Sequence, residues 1–303
     1  MTQSAMPPAV AATQDEAAIR SIVESVATLA DTGNFEALET LYSDEVQIDY
    51  SSLSGEAAGL KSAQALMTEW ASVLPGFDRT RHSLSNIDVT INDSSAAATA
   101  DVVADHFVDD LEWRVSGNYR YELVKTASRW QIVAMTFNLQ DEQGTRDVFA
   151  PALTHAAAHP VGYLARQQTS ATIRTLLESL ESKDMETFAT LWADDAVQDM
   201  PYSPPGHPKR VSGKPAILDL YSGWPDNAGE ANFTSELVIY PMRDPDMAFA
   251  EFKGRVDVIP TKREYRQTYG ALFHVIDGKI RLFREYYDPA PFAWAFGLDE
   301  EPQ

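Results

Sequence analysis

Apolar residues recur at helical spacing near the start of the chain. Ile19, Ile22, Val23, Val26 and Leu29 fall on one stripe and predict an amphipathic helix. A short helix carrying Phe35, Leu38, Leu41 and Tyr42 follows, then a strand over VQIDY (46–50). A third helix is expected from about Ser62 to Leu74, with Leu66, Met67, Trp70 and Val73 aligned and Pro75-Gly76 ending it. Alternating patterns then predict strands near 81–92, 96–108, 113–125 and 130–139. Turn signals at Asn92-Asp93-Ser94-Ser95 and Thr126-Ala127-Ser128 separate them. The rest of the chain repeats this order. Helices are expected at 169–182 and 185–192, then a Pro-rich turn, YSPPGHP (202–208), and a helix opening at Ser212 with Pro215 in its first turn. Strands near 232–240, 247–259, 263–276 and 279–287 follow, with Asp277-Gly278 as a two-residue hairpin signal. Helices in front of a run of antiparallel strands predict an α+β domain whose sheet curls around the helices.

The halves also match residue by residue. AIRSIVESVATL (18–29) resembles TIRTLLESL (172–180), and Leu38, Leu41, Tyr42 and Asp44 match Phe188, Leu191, Trp192 and Asp194 at an offset of 150 residues. The same offset carries Tyr119 to Tyr269, Ile132 to Leu282 and Phe137 to Tyr287. The chain therefore reads as one fold written twice, with domains at 12–148 and 166–297 and a connector, FAPALTHAAAHPVGYLA, at 149–165. A length of 303 residues suits two domains, each able to bury a core.

Composition narrows the chemistry. The 45 acidic residues outweigh 24 basic ones, and the net charge of −21 argues against polyanionic partners: no nucleic acid and no membrane surface. With no cysteine, disulfides, thiolate metal sites and Cys nucleophiles are excluded. No apolar run reaches the 18 residues of a membrane span, and the N-terminal MTQSAMPPAVAATQ lacks the basic and apolar regions of a signal peptide, so a cytoplasmic protein is expected. No glycine-rich phosphate loop, nucleophile elbow or H-E-x-x-H is present. Chemistry must then rest on histidine, carboxylates and hydroxyls.

Only His82 and His106 precede the connector, both in predicted strands. Alternation puts His106 on one face with Ala98, Ala100, Val102 and Ala104, small side chains that leave room for a ligand, and puts Asp101 and Asp105 on the solvent face. His82 shares a face with Leu84 and Asn86, whereas Ile87, Val89 and Ile91 take the opposite one, so this strand is expected to serve two environments. Asp31 ends the first helix. At the constant offset His82 maps to Asn232 and His106 to Val256, and Asp31 has no clear counterpart. Scaffold residues should repeat and site residues need not, which favours a functional reading of all three.

With these residues in place, the αα-β-α-ββββ order resembles the nuclear transport factor 2-like superfamily, including SnoaL-like cyclases and ketosteroid isomerase. The resemblance implies cone-shaped domains, each a curved, mainly antiparallel sheet wrapped around about three helices. The first half is similar to scytalone dehydratase and its SnoaL-like bacterial relatives. The resemblance makes Asp31 and His82 a base dyad and matches Tyr50 (in QIDYSS), His106 (in ADHFVDD), Ser116 and Asn118 (in VSGNYRY) to further site positions. Ala30 stands where scytalone dehydratase has a tyrosine, so one carbonyl-polarising hydroxyl is missing. The hexachlorocyclohexane dehydrochlorinase relatives share the dyad, which leaves the leaving group open.

A histidine base suits removal of a proton next to a carbonyl, with an aspartate fixing its tautomer. Tyr50 would donate to the developing enolate, Ser116, Asn118 and Trp70 would bind substrate, and His106 would protonate a leaving hydroxide. The expected activity is that of a cofactor-independent dehydratase or related lyase or isomerase acting on a small cyclic or aromatic ketone, with no metal. The second half resembles phenazine-biosynthesis A/B-type proteins through MPYSP (200–204), EFKG (251–254), YRQTYG (265–270) and GKIRLFREYYDP (278–289). There Glu251 and Glu285 are candidate carboxylates, with Tyr202, Tyr265 and Tyr269 as aromatic lining. The plainer reading of Glu285 is a cross-strand pair with Arg284, Arg281 or Arg266. The aromatic run at 285–297 would cap a pocket or form an interface. The alternative functions are a cyclase or condensation catalyst built on the second-domain carboxylates, or a non-catalytic small-ligand binder. The resemblance to the superfamily implies pairing through open sheet faces, as an intramolecular pseudo-dimer or a homodimer.

Overall fold

A computed structural model describes residues 8–127 and 129–298, so Ser128 of the predicted turn and the first residues of the N-terminal segment lie outside the described residues. The chain divides into two compact units, 1–163 and 164–303.

In the first unit the amphipathic stripe forms a long helix, α1 (Pro8–Thr32), which buries Ile19, Val23, Val26, Ala27 and Ala30. Gly33, at φ +66°, stops it, with Asn34 N–H reaching back to the Leu29 carbonyl. Asn34 then caps α2 (Phe35–Glu39) by accepting from the Ala37 N–H at 3.2 Å. The chain continues through β1 (Tyr42–Asp49), α3 (Ser51–Ser54), β2 (Gly59–Ser62) and α4 (Ala63–Ala71). Four long strands follow: β3 (Arg79–Asn92), β4 (Ser95–Val108), β5 (Leu111–Thr126) and β6 (Arg129–Gly144). The sheet order is β2-β1-β6-β5-β4-β3; every pair is antiparallel except β1 with β6. Residues 149–158 form a further helix, α5 (Phe149–Ala158), with Ala152 and Ala156 buried.

The phase change on β3 has a specific cause. Ser85 pairs with Asp101 and Asp88 with Thr99, so Asn86 and Ile87 together oppose the single residue Ala100. This is a β-bulge, and Asn86 adopts φ +50° to make it. The inserted residue returns Ile87, Val89 and Ile91 to the same face as His82, correcting the opposite-face assignment made from strict alternation. Arg20 on α1 donates to the Ile87 carbonyl at 2.6 Å, satisfying an acceptor that the bulge takes out of the ladder.

The second unit repeats the plan with α6 (Gly162–Ser182), which begins at the end of the first unit, then α7 (Met185–Thr190), β7 (Trp192–Asp199), β8 (Arg210–Ser212), α8 (Lys214–Leu220) and α9 (Trp224–Asn227). Strands β9 (Ala228–Asn232), β10 (Val238–Pro241), β11 (Met247–Val258), β12 (Arg263–Ile276) and β13 (Lys279–Tyr286) precede α10 (Pro289–Phe296). The β10-β11-β12-β13-β7-β8 path mirrors the first sheet, again with one parallel pair, β7 with β13.

Two details of the repeat are corrected by the strand pairing. The long helices end in register, so Asp31 does have a counterpart, Glu181. At the last strand the offset shortens by two residues: Tyr42 pairs with Ile132 where Trp192 pairs with Ile280, and Ile48 with Met135 where Gln198 pairs with Phe283. Phe137 therefore occupies the position of Glu285, not of Tyr287. Among the described residues no helix is long and apolar enough to cross a membrane.

Gly76, in the turn before β3, lets α5 approach closely. A Cβ there would sit 1.8 Å from the Ala152 carbonyl oxygen, inside backbone that cannot move aside without displacing the helix. Gly76→Ala is expected to destabilise the first unit by about 1–3 kcal/mol, read as a lowered midpoint in urea denaturation.

Candidate active site

Asp31 occupies the last turn of α1 and points at the start of β3. Its Oδ1 lies 2.7 Å from His82 Nδ1 and accepts from the Thr80 hydroxyl at 2.9 Å, while Oδ2 accepts the His82 main-chain N–H at 2.8 Å. The carboxylate thus fixes the imidazole ring and its backbone together, leaving Nε2 as the nitrogen turned away from it. Both side chains are largely enclosed, at 13% exposure for His82 and 21% for Asp31. Burial pushes the Asp31 carboxyl up, but the hydrogen bonds from His82 and Thr80, with the histidine charge, outweigh it and hold the group below the usual carboxylate range.

His82 opens onto a cavity of about 320 Å3 inside the curl of the sheet. His106, 6% exposed, shares the cavity wall, its ring perpendicular to that of His82 with centroids 5.6 Å apart. Burial, then the neighbouring His82, pushes His106 down to about 4. It makes a hydrogen bond to the Trp113 main chain, and its Nδ1 is buried without a partner. Tyr50 and Trp70 also line the cavity. The Tyr50 hydroxyl is hydrogen-bonded to that of Tyr119; burial raises both, Tyr119 to about 12 and Tyr50 well above the ordinary phenol value, so both remain protonated donors.

Asp31, His82, Tyr50, His106 and Trp70 therefore come together. Ser116 and Asn118 do not, because alternation along β5 sends them to the outer face while Trp113, Val115, Tyr119 and Tyr121 face the cavity. Asn118 bonds instead to Asn138 at 3.1 Å. Asp105, expected at the solvent face, is buried and ion-paired with Arg114. Thr80 and Tyr119 were absent from the sequence-derived site. Thr80 was recoverable from its place two residues before His82 on the same face, and Tyr119 had already marked the repeat. No group of three or more His, Asp or Glu among the described residues is arranged to hold a metal ion.

The second unit has its own cavity, of about 410 Å3. Glu285 and Tyr269 line it; Glu251 and Tyr202 do not. Glu251 lies on the outer face of β11 and accepts from Tyr240 at 3.0 Å, and Tyr202 is 58% exposed. Glu285 is 9% exposed and accepts from Gln198 Nε2 at 2.8 Å. The arginine partners considered for it are engaged elsewhere: Arg284 with Asp199, Arg281 with Asp195 and Arg266 with Glu264. Burial raises the Glu285 carboxyl to about 7, only partly offset by the Gln198 hydrogen bond. Tyr265 and Tyr269 join hydroxyls at 2.7 Å, and α10 closes the cavity with Phe292 and Phe296.

Comparison with known proteins agrees with this architecture. A SnoaL-like domain matches residues 11–136, and a second SnoaL-like domain matches residues 173–283. The uncharacterized protein YesE of Bacillus subtilis is 35% identical over 131 residues, 43% of this chain and 88% of its own length. An uncharacterized PhzA/B-like protein of Pseudomonas aeruginosa is 29% identical over 121 residues, 40% of this chain and 84% of its own. Among solved structures, a candidate isomerase from Bacillus subtilis is 34% identical, with a TM-score of 0.41, covering 44% of this chain and 95% of that one. A candidate scytalone dehydratase from Novosphingobium aromaticivorans is 17% identical, with a TM-score of 0.40, covering 44% and 89%.

The titrating groups have opposite signatures in stability. Folding raises the Glu285 pKa, so its contribution is fully present below the unfolded value and is lost as pH rises through about 7. Wild type should lose up to about 3 kcal/mol from this source between about pH 5 and 8, and Glu285→Gln should lose correspondingly less in matched denaturation series. Folding lowers Asp31, so its contribution is present above the usual carboxylate value and is lost as pH falls through the lowered one. Asp31→Asn should flatten the acid limb of the same curve. The two SnoaL-like matches, in the order and places of the two units, identify the chain as a member of the SnoaL-like family with two such domains in tandem.

Proposed function

We propose that the first unit is a cofactor-independent dehydratase or related lyase or isomerase, acting on a small cyclic or aromatic ketone. The reading is carried by one observation: a His82 ring held at 2.7 Å by Asp31 at the wall of an aromatic-lined cavity. His82 Nε2 takes the proton next to the carbonyl, and the imidazolium that forms is stabilised by the Asp31 carboxylate. The electron pair moves onto the carbonyl oxygen, where the Tyr50 and Tyr119 hydroxyls are suitable donors. In a dehydration the enolate then expels hydroxide from the adjacent carbon, and the imidazolium returns its proton to release water. His106, held neutral by burial and already bonded to the Trp113 main chain, has no spare proton for that step at neutral pH. Its orphaned Nδ1 instead suits it to accept a hydrogen bond from a substrate hydroxyl.

The test is turnover of a hydroxylated cyclic ketone, followed by the absorbance of the conjugated product. Asp31→Asn and His82→Ala should each lower kcat by about 10²–10⁴-fold, with the fold retained by circular dichroism. Thr80→Val removes one of three donors to Asp31 and should cost about tenfold or less. An Asp31→Asn or His82→Ala enzyme that keeps most of its turnover would overturn the assignment.

A further inference from the structure

The second cavity is chemically unlike the first. Its wall is aromatic, with Tyr221, Trp224, Phe252, Tyr265, Tyr269 and Phe292 among its residues, and among the described residues Glu285 is the one carboxylate in it. Glu285 Oε1 accepts from Gln198, and Oε2 has no hydrogen-bond partner among the described residues. Among the described residues no lysine or arginine lines the cavity. Arg284, next to Glu285 along the strand, binds Asp199, and Arg266, farther along the neighbouring strand, binds Glu264. Among the described residues the one imidazole in the wall is His207, which is half-buried, packs on Phe292 with centroids 4.8 Å apart, and is held below its usual range by burial. A buried carboxylate with a free oxygen, ringed by aromatic faces and without a fixed counter-cation, has the two elements that recognise an organic cation: an ion-pair acceptor and π-faces.

We infer that the second unit binds a small organic ammonium ion, its charged nitrogen on Glu285 Oε2 and its apolar body against the tyrosine and phenylalanine faces. The cavity volume lies within the range of small-molecule sites. The acidic surface of the chain raises the local concentration of cations and so favours their capture. This site is absent from the first unit, where Phe137 holds the position of Glu285. The inference is independent of the dehydratase reading, since it uses no residue of the Asp31–His82 site.

Binding a cation requires the ionised carboxylate, which gives the proposal its signature. Around Glu285 the tyrosines are pushed up by burial and stay neutral, and His207 is shifted towards its neutral form, so Glu285 is the group that changes charge near pH 7. The experiment is calorimetric titration of the full chain with 2-phenylethylammonium chloride and with 2-phenylethanol, its neutral near-isostere, at pH 6 and pH 8. The ammonium should bind about tenfold more tightly at pH 8, because the competent fraction rises by that factor. The alcohol should show no such rise. At pH 6 ammonium binding should release a proton, read from titrations in two buffers of different ionisation enthalpy. Glu285→Gln should abolish the pH dependence and weaken ammonium binding at pH 8 at least tenfold while leaving the alcohol within about twofold. Should that variant fold poorly, the wild-type proton release alone decides. Equal affinity for the two probes at pH 8, ammonium affinity that falls from pH 6 to pH 8, or no binding of either probe would overturn the proposal.

Discussion

A carboxylate at the end of the long first helix ties helix to sheet in both units, and the rest of each site is built from that tie. In the first unit Asp31 accepts the His82 main-chain N–H. In the second, Glu181 accepts the main-chain N–H groups of Phe233 and Thr234, the latter at 2.7 Å, and the Thr234 hydroxyl at 3.0 Å. A sheet edge that curls over a helix exposes donors that must be satisfied once water is excluded, and a helix-end carboxylate satisfies them at the mouth of the concavity. Chemistry is then a small addition to architecture. Placing a histidine ring beside the same oxygen atoms converts a structural anchor into a base dyad. The second unit keeps the anchor, but strand pairing puts Phe233, not the sequence-aligned Asn232, where the first has His82: Glu181 accepts the Phe233 N–H, and Asn232 turns outward to bond Ser235.

Much of this was legible in the sequence because the signals are local. Helical stripes, strand alternation and the repeat all follow from periodicity, and the long strands β3 to β6 fall within a few residues of their predicted limits. His82 and Tyr50 line one cavity, and Asp31 bonds to His82 from behind the lining. What was not legible depends on how strands pair. One extra residue at Asn86 moves Ile87, Val89 and Ile91 to the other face, and no alternation pattern announces it. The face of Ser116 and Asn118 on β5 was open to the same alternation argument, which the family match overrode. Glu285 looked able to reach arginines on neighbouring strands; only side-chain packing shows those arginines occupied on the outer surface and the glutamate turned inward.

The two units show how one scaffold carries different electrostatics. In the first unit Asp31 stays behind the lining, bonded to a histidine, and Glu69, the carboxylate that does line that cavity, is paired with Lys61. The second places a carboxylate on the cavity wall, without a cation, at a strand position that the first fills with a phenyl ring. Burial acts on both, and its effect on charge depends on whether hydrogen bonds to the ionised form outweigh desolvation. At Asp31 they do; at Glu285 a single amide donor is too little.

The bulge at Asn86 bears on how such a protein can change over time. His82 and Thr80 lie upstream of the inserted residue, and the strand's apolar stretch lies downstream, so each side of the insertion has its own phase. Removing one residue anywhere between them would leave only one segment able to face inward: either the imidazole would turn to solvent or three aliphatic side chains would. Drift in this stretch is therefore restricted in length more tightly than in composition, and insertions or deletions there would be purged even where substitutions are tolerated.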